Sequence, residues 1–392
     1  MKYFLSAGEA SGDIHAAPLM RALRKADPKA QFTFLGGDEM TAAAAESDPE
    51  AKPVIHYRDM AFMAFSEVLR HLGQIFGNFR TARAALEATR PDALILIDYP
   101  SFNLRLAKAA HAMGIPVYYY ISPKVWAWKE WRVKEIRRYC RKVLSILPFE
   151  VPYFHSKGME VEYVGNPSVE EVDHKEASLP SFADFCAAHG LDPERPILAL
   201  VPGSRRGEIR NNLPIMRDVA ARFPQLQPVV AGAPAIERSF YTQYTSLPVV
   251  EGVTFELIRN ASCALVTSGT ATLETALLGT PQVVCYRANG SRLSYNIMKR
   301  LIKCPFVSLP NLIADREIVP EMLVHLCTVD AVADRLAQIV PGAPGRQAML
   351  DGYALMRSRL GTSDAPERAA NVIFSDPGQP HQNLADRSIS IR

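Results

Sequence analysis

Short apolar runs recur along the chain, each closed by small or polar residues. Tyr3–Ala7, Gln31–Leu35, Ala93–Ile97 and Val117–Ile121 read as strands in the first half. Residues 197–201 (ILALV), Pro228–Ala231, Val249–Val250, Ala264–Val266 and Gln282–Tyr286 read as strands in the second. Between them the apolar period lengthens to three and four, which predicts helices near residues 14–25, 103–112, 255–260 and onward from about 211. Strand–helix alternation implies parallel sheets with right-handed crossovers, so the fold class is α/β. Residues 61–76 set Phe62, Phe65, Leu69, Leu72 and Phe76 at spacings of three and four, with Met63 widening the apolar surface. Such a helix either packs on its own core or leaves a patch for lipid. A polar helix is expected over Phe79–Arg90, stopped by Pro91-Asp92.

The second series of strands begins near residue 196. The stretch from Gly165 to about Arg195 is rich in Pro, Asp, Glu and Ala, and reads as a linker with one small helix near 181–189. Two α/β units joined in this way predict a cleft between them. From about Ser375 the chain is polar and reads as disordered.

Composition narrows this picture only a little. At 392 residues with 48% hydrophobic content, each half can bury a core. A net charge of +3 gives no global case for nucleic acid. Charge is local instead. Lys124, Lys129, Arg132, Lys134, Arg137, Arg138, Arg141 and Lys142 crowd one stretch, and residues 287–303 are basic without an acid. Both suggest anionic ligands or an anionic surface. The six cysteines are scattered, with no CxxC pair, which fits a reducing cytoplasm and gives no metal framework. No apolar run approaches the ~20 residues of a membrane span, so membrane contact is expected to be peripheral.

Chemistry is expected where strands end. Asp98 follows an apolar strand and can serve as a general base or cap the next helix. GEASGD at 8–13 can pass close to a sugar or phosphate, with Asp13 as the alternative N-cap. PGSRRGE at 202–208 offers Ser204 and an arginine fork to a diphosphate, or is a surface turn. TSGTATLE at 267–274 ends a strand in Gly269 and Thr270 and opens a helix. Its unpaired N–H groups can face a ligand, and Glu274 can accept from a ribose. SPKVWAWKEW at 122–131 holds all three tryptophans and suits a ligand pocket or a lipid headgroup zone, or simply packs on the core. No metal-ligand set is evident, and no cofactor is expected.

Taken together, GEASGD, IDYPSFN (97–103), SPKVWAW (122–128), LPFE (147–150), GNP (165–167), PGSRRGE, SGTATLE (268–274), YR (286–287) and SLPNL (308–312) resemble the bacterial lipid-A-disaccharide synthases. The resemblance implies a GT-B glycosyltransferase with two Rossmann-like domains. It implies UDP-diacylglucosamine as donor and diacylglucosamine 1-phosphate as acceptor, joined through a β-1,6 linkage with inversion and without metal. Asp98 would be the base. Ser204, Arg205, Glu208, Gly269, Thr270, Glu274, Tyr286 and Asn311 would surround UDP. Ser11, Gly12, Asp13, Ser122 and Trp126 would line the acceptor side. The 61–76 helix would face the cytoplasmic side of the inner membrane, and the oligomer would be a monomer or homodimer. The implied domains are 1–170 and 196–351 around a 171–195 linker, with 352–374 returning to the first. Ser101 departs from the family pattern, which has a second acid there. The rivals are another UDP-sugar GT-B enzyme, such as an undecaprenyl-linked glycosyltransferase or a UDP-sugar 2-epimerase, and a non-catalytic lipid- or nucleotide-binding protein.

Overall fold

Two parallel sheets organise the chain in a computed structural model that describes residues 1–60, 72–127, 129–287, 304–361 and 364–376. The first belongs to a unit made of Met1–Pro167 and the segment from Asp364 onward. Its strands are β1 (Lys2–Ala7), β2 (Gln31–Gly36), β3 (Ile55–His56), β4 (Ala93–Ile97), β5 (Val117–Tyr120), β6 (Lys142–Ser145) and β7 (Val161–Tyr163), in the order β3-β2-β1-β4-β5-β6-β7. The second unit, Ser168–Ser363, holds β8 (Ile197–Val201), β9 (Gln227–Gly232), β10 (Val249–Glu251), β11 (Ala261–Thr267), β12 (Gln282–Tyr286) and β13 (Glu321–Leu323), in the order β10-β9-β8-β11-β12-β13. Both are doubly wound Rossmann-like sheets. Each reverses direction beside its first strand, between β1 and β4 and between β8 and β11, and a crevice forms at the carboxyl ends there.

The continuous apolar strands follow from burial on both faces. In β1, Tyr3, Leu5 and Ala7 pack on one side with the Ala10–Ala26 and Ala365–Ser375 helices, while Phe4 packs on the other. Ala93, Ile95 and Ile97 of β4 join the first cluster; Leu94 and Leu96 join the second. In the other unit Ile197, Ala199 and Val201 form a core with Val172, Phe185 and Cys186. Those three come from the stretch read as a linker, which folds as the helices Pro167–Glu176 and Phe182–His189.

Three local readings are corrected. The turn expected at 8–13 ends early, because the helix starts at Ala10 and takes in Ser11, Gly12 and Asp13. The helix expected from about 211 starts at Arg206. A single helix, Leu72–Thr89, replaces the break expected near residue 77. Phe62, Met63, Phe65 and Leu69 lie outside the described residues, as do Trp128, the basic segment 288–303 and the polar tail from 377. Among the described residues no helix is long and apolar enough to cross a membrane.

Candidate active site at the two strand reversals

In the first unit the reversal point holds the loops after β1 and β4. Asp98 and Tyr99 both adopt left-handed backbone conformations, with φ of 43° and 46°. Such angles are strained for residues with a Cβ and need outside support. Asn103, fully buried, supplies much of it. Its amide donates to the carbonyls of Asp98 at 2.8 Å, Ile97 at 3.1 Å and Ser6 at 3.2 Å, and its oxygen accepts from Ser6 Oγ at 2.7 Å. Tyr119 Oη donates to the Asp98 carbonyl at 2.9 Å, and Asp98 N–H donates to Ile121 at 3.2 Å. The Tyr99 ring lies against Gly8, where a Cβ would come within 2.1 Å of it. Only glycine lets the β1 and β4 loops meet this closely. Burial raises the Asp98 carboxyl above its ordinary range, and the nearby Lys124 ammonium pulls it partly back.

Glu150, at the start of the Glu150–His155 helix, is 1% exposed. It accepts from Trp126 Nε1 at 3.0 Å, Ser122 Oγ at 3.4 Å and Ser145 Oγ. Burial pushes its carboxyl up to about 7, against those hydrogen bonds and Lys124. Ser122 and Trp126 are therefore tied to a buried acid. Asp13 also turns inward. It caps the next helix, Asp38–Ala45, by accepting from the N–H groups of Gly37 at 2.7 Å, Glu39 at 3.0 Å and Met40 at 3.2 Å. Three backbone donors thus occupy the carboxylate expected on the acceptor side. Gly12 is buried against Ala7, and Ser11 is exposed.

In the second unit the reversal point brings together the loops after β8 and β11. Gly203 has φ of 112°, and a Cβ there would meet Glu208 Oε2 at 2.5 Å. Glu208 folds back over the loop and accepts from the N–H groups of Ser204 at 3.1 Å and Arg205 at 3.3 Å. It thus occupies two N–H donors of the loop expected to face a diphosphate and shapes that loop. Arg206 stacks over the Phe240 ring, whereas Arg205 stays mostly exposed. Across the crevice, exposed Gly269 precedes the helix Thr270–Leu277, where the Thr272 N–H donates to the Gly269 carbonyl at 3.2 Å. The partly buried Glu274 sits one turn in. Burial, then Glu171, pushes its carboxyl up to about 7, while Lys175 opposes.

Two asparagines complete this end. Asn212, missed in the sequence, accepts from Arg287 N–H at 2.8 Å and donates to the Glu208 carbonyl at 3.0 Å. It ties the PGSRRGE helix to the end of β12, beside half-buried Tyr286. Asn311, expected near UDP, bonds within the chain. Fully buried, it donates to the Val319 carbonyl and Glu321 Oε1, both at 2.9 Å, and accepts from the N–H groups of Ile318 at 2.7 Å and Val319 at 2.9 Å. All four of its hydrogen-bonding positions are used.

Comparisons with known proteins bear on the family and the fold. The sequence pattern of the lipid-A-disaccharide synthetases matches residues 3–355. The chain is 41% identical to the lipid-A-disaccharide synthase of Myxococcus xanthus over 378 residues, covering 94% of this chain and 95% of that protein. It is 36% identical to the synthase of Koribacter versatilis, covering 96% and 98%. Among solved structures, a UDP-GlcNAc 2-epimerase from Neisseria meningitidis bound to UDP-GlcNAc shares the fold at TM-score 0.63 and 14% identity, covering 96% of this chain and 100% of that one. A glycosyltransferase of kitacinnamycin does so at TM-score 0.61 and 16% identity, covering 96% and 99%. With a match across nearly the whole length and relatives above a third identical, the chain belongs to the lipid-A-disaccharide synthetase family, whose members are glycosyltransferases.

Proposed function

We propose that this enzyme transfers 2,3-diacylglucosamine from its UDP derivative to the 6-hydroxyl of 2,3-diacylglucosamine 1-phosphate. The products are the β-1,6-linked disaccharide 1-phosphate and UDP. Asp98 takes the hydroxyl proton as the oxygen attacks the anomeric carbon, and the bond to the UDP oxygen breaks on the opposite face, with inversion. The observation that carries this reading is the half-buried, strained seat of Asp98 at a sheet reversal, its carbonyl held by hydrogen bonds and its carboxyl made more basic by partial burial. Ser204, Arg205, Gly269, Thr270, Glu274 and Tyr286 hold the donor, with Glu208 and Asn311 shaping their loops. Ser11, Ser122 and Trp126 serve the acceptor side.

The substrates are lipids, and acyl chains leave a bilayer at a cost of ~0.8 kcal/mol per exposed CH₂. Phe76, 57% exposed on the helix that begins at Leu72, supports a peripheral seat on the inner membrane. The test is incubation with UDP-diacylglucosamine and the monosaccharide phosphate, read by mass spectrometry. Disaccharide and UDP are expected from the native enzyme. Asp98→Asn should retain UDP affinity yet lose turnover by about 10²-fold or more. Unchanged turnover removes Asp98 as base. Binding of UDP without any disaccharide favours the non-catalytic reading, and a 2-epimerised donor favours the epimerase.

A further inference from the structure

Arg132 opens the helix Arg132–Tyr139 and is only 8% exposed. One terminal nitrogen donates to Ser101 Oγ at 2.9 Å, while its Nε is buried with no hydrogen-bond partner. Its guanidinium carbon lies 5.6 Å from the centre of the Trp131 ring. Among the described residues no carboxylate pairs with it. Arginine does not shed its proton in a protein, so this is a buried charge without a counter-charge. Ser101 brings a hydroxyl and no charge, and is itself exposed.

The surroundings add to the positive field. Arg132 sits at the N-terminus of its own helix and touches the first turn of the thirteen-residue helix Pro100–Ala112. Helix N-termini each carry roughly half a positive charge, so a cation here has the wrong sign for both. In that first turn Pro100 has no N–H, and the Asn103 N–H goes to the Tyr99 carbonyl at 3.1 Å. The N–H groups of Ser101 and Phe102 are left as orphan donors.

We infer that Arg132, Ser101 and these two N–H groups bind the dianion of a phosphate group. The planar guanidinium fork matches two oxygens of a tetrahedral anion, and the helix end supplies donors to a third. Two sources present that chemistry: inorganic phosphate, and the 1-phosphate of the acceptor. The second rests on the proposed reaction, and Ser101 lies three residues beyond Asp98, in the first turn of the helix that follows it.

The test uses the full-length enzyme and the variants Ser101→Asp, which places a carboxylate against Arg132, and Arg132→Gln. Melting is followed in inorganic phosphate against chloride at equal ionic strength. Phosphate should raise the native melting temperature and do so much less in Ser101→Asp. An equal shift in both proteins, or none in the native one, overturns the site. If Arg132→Gln misfolds, Ser101→Asp decides alone, because Ser101 is exposed and an acid suits a helix N-terminus. Acceptor kinetics separate the sources. A rise of about tenfold or more in acceptor KM assigns the site to the substrate's phosphate. An unchanged KM with a lost phosphate shift assigns it to the free anion. A phosphate shift without turnover in any protein upholds the site and fails the proposed reaction.

Discussion

A residue with a side chain and φ of 43° is held by its neighbours rather than at rest, and Asp98 is held by Asn103, Tyr119 and Ile121. The position of Asp98 at a strand end was legible in the sequence. Its strain and its supports were not, since Ser6 and Asn103 stand 97 residues apart and meet only in the fold. Glu150 was hidden for the same reason: LPFE was recognisable, but its burial against Trp126 and Ser145 depends on the loop after β5. A pH dependence follows for each acid. With its carboxyl raised by burial, Asp98 must lose a proton above the ordinary aspartate range to act as base, so the acid limb of kcat/KM should lie above about pH 4. For Glu150, the folded value of about 7 exceeds the model-peptide value near 4.3, so the folded state binds more protons between them. Its contribution to stability is therefore full below about pH 4 and lost as pH rises toward 7. Glu150→Gln should lack this loss. Urea unfolding at pH 5 and pH 8 should show the native protein weakening relative to the variant by roughly 3 kcal/mol. Parallel behaviour across that range would refute the burial argument.

At the scale of elements, long interior strands were readable because burial on both faces demands an unbroken apolar run, as in β4 and β8. β3, β6, β7 and β13 escaped notice because they span only 2–4 residues and mix in polar side chains. Helix starts were read late at both reversal points. Glu9 gives its helix no side-chain cap, and at Arg205 the start signal is the acid three residues on, Glu208, which accepts from the Arg205 N–H, with no Ser, Thr, Asp or Asn at the cap itself. One element is fixed by a terminal acid. Asp376, after the Ala365–Ser375 helix, accepts from Arg141 Nη2 at 2.6 Å and Nε at 2.8 Å, and its carbonyl accepts from Tyr118 Oη at 3.0 Å. The Arg141 guanidinium holds its carboxyl below the usual range. That stabilisation is present above the unfolded aspartate pKa and fades as pH falls through the lower folded value. Asp376→Asn should loosen this helix by about 1–3 kcal/mol at pH 7, seen as faster amide exchange within it. The gap to the native protein should narrow progressively as pH falls below the ordinary aspartate range, and a gap that does not change with pH there would exclude the ion pair as its cause.

The whole molecule divides into a second unit that is one continuous segment and a first that is two. Ala369, Ala370 and Ile373 belong to the same core cluster as Leu5, Ile95 and Ala17. Ending the chain at Ser363 should therefore leave that face of the first sheet bare, and such a protein should aggregate or bind a hydrophobic dye while its second unit still melts cooperatively. A truncated chain as soluble and stable as the full one would show that the helix is dispensable. The split core also bears on the order of synthesis. On a ribosome adding about 5–20 residues per second, the strands of the first unit emerge early but wait roughly 10–40 seconds for the helix that covers them. The second unit, complete in itself, is free to fold during that wait. The first part of the protein to be made is thus the last to be finished, and for that interval its exposed apolar face is a natural target for a chaperone.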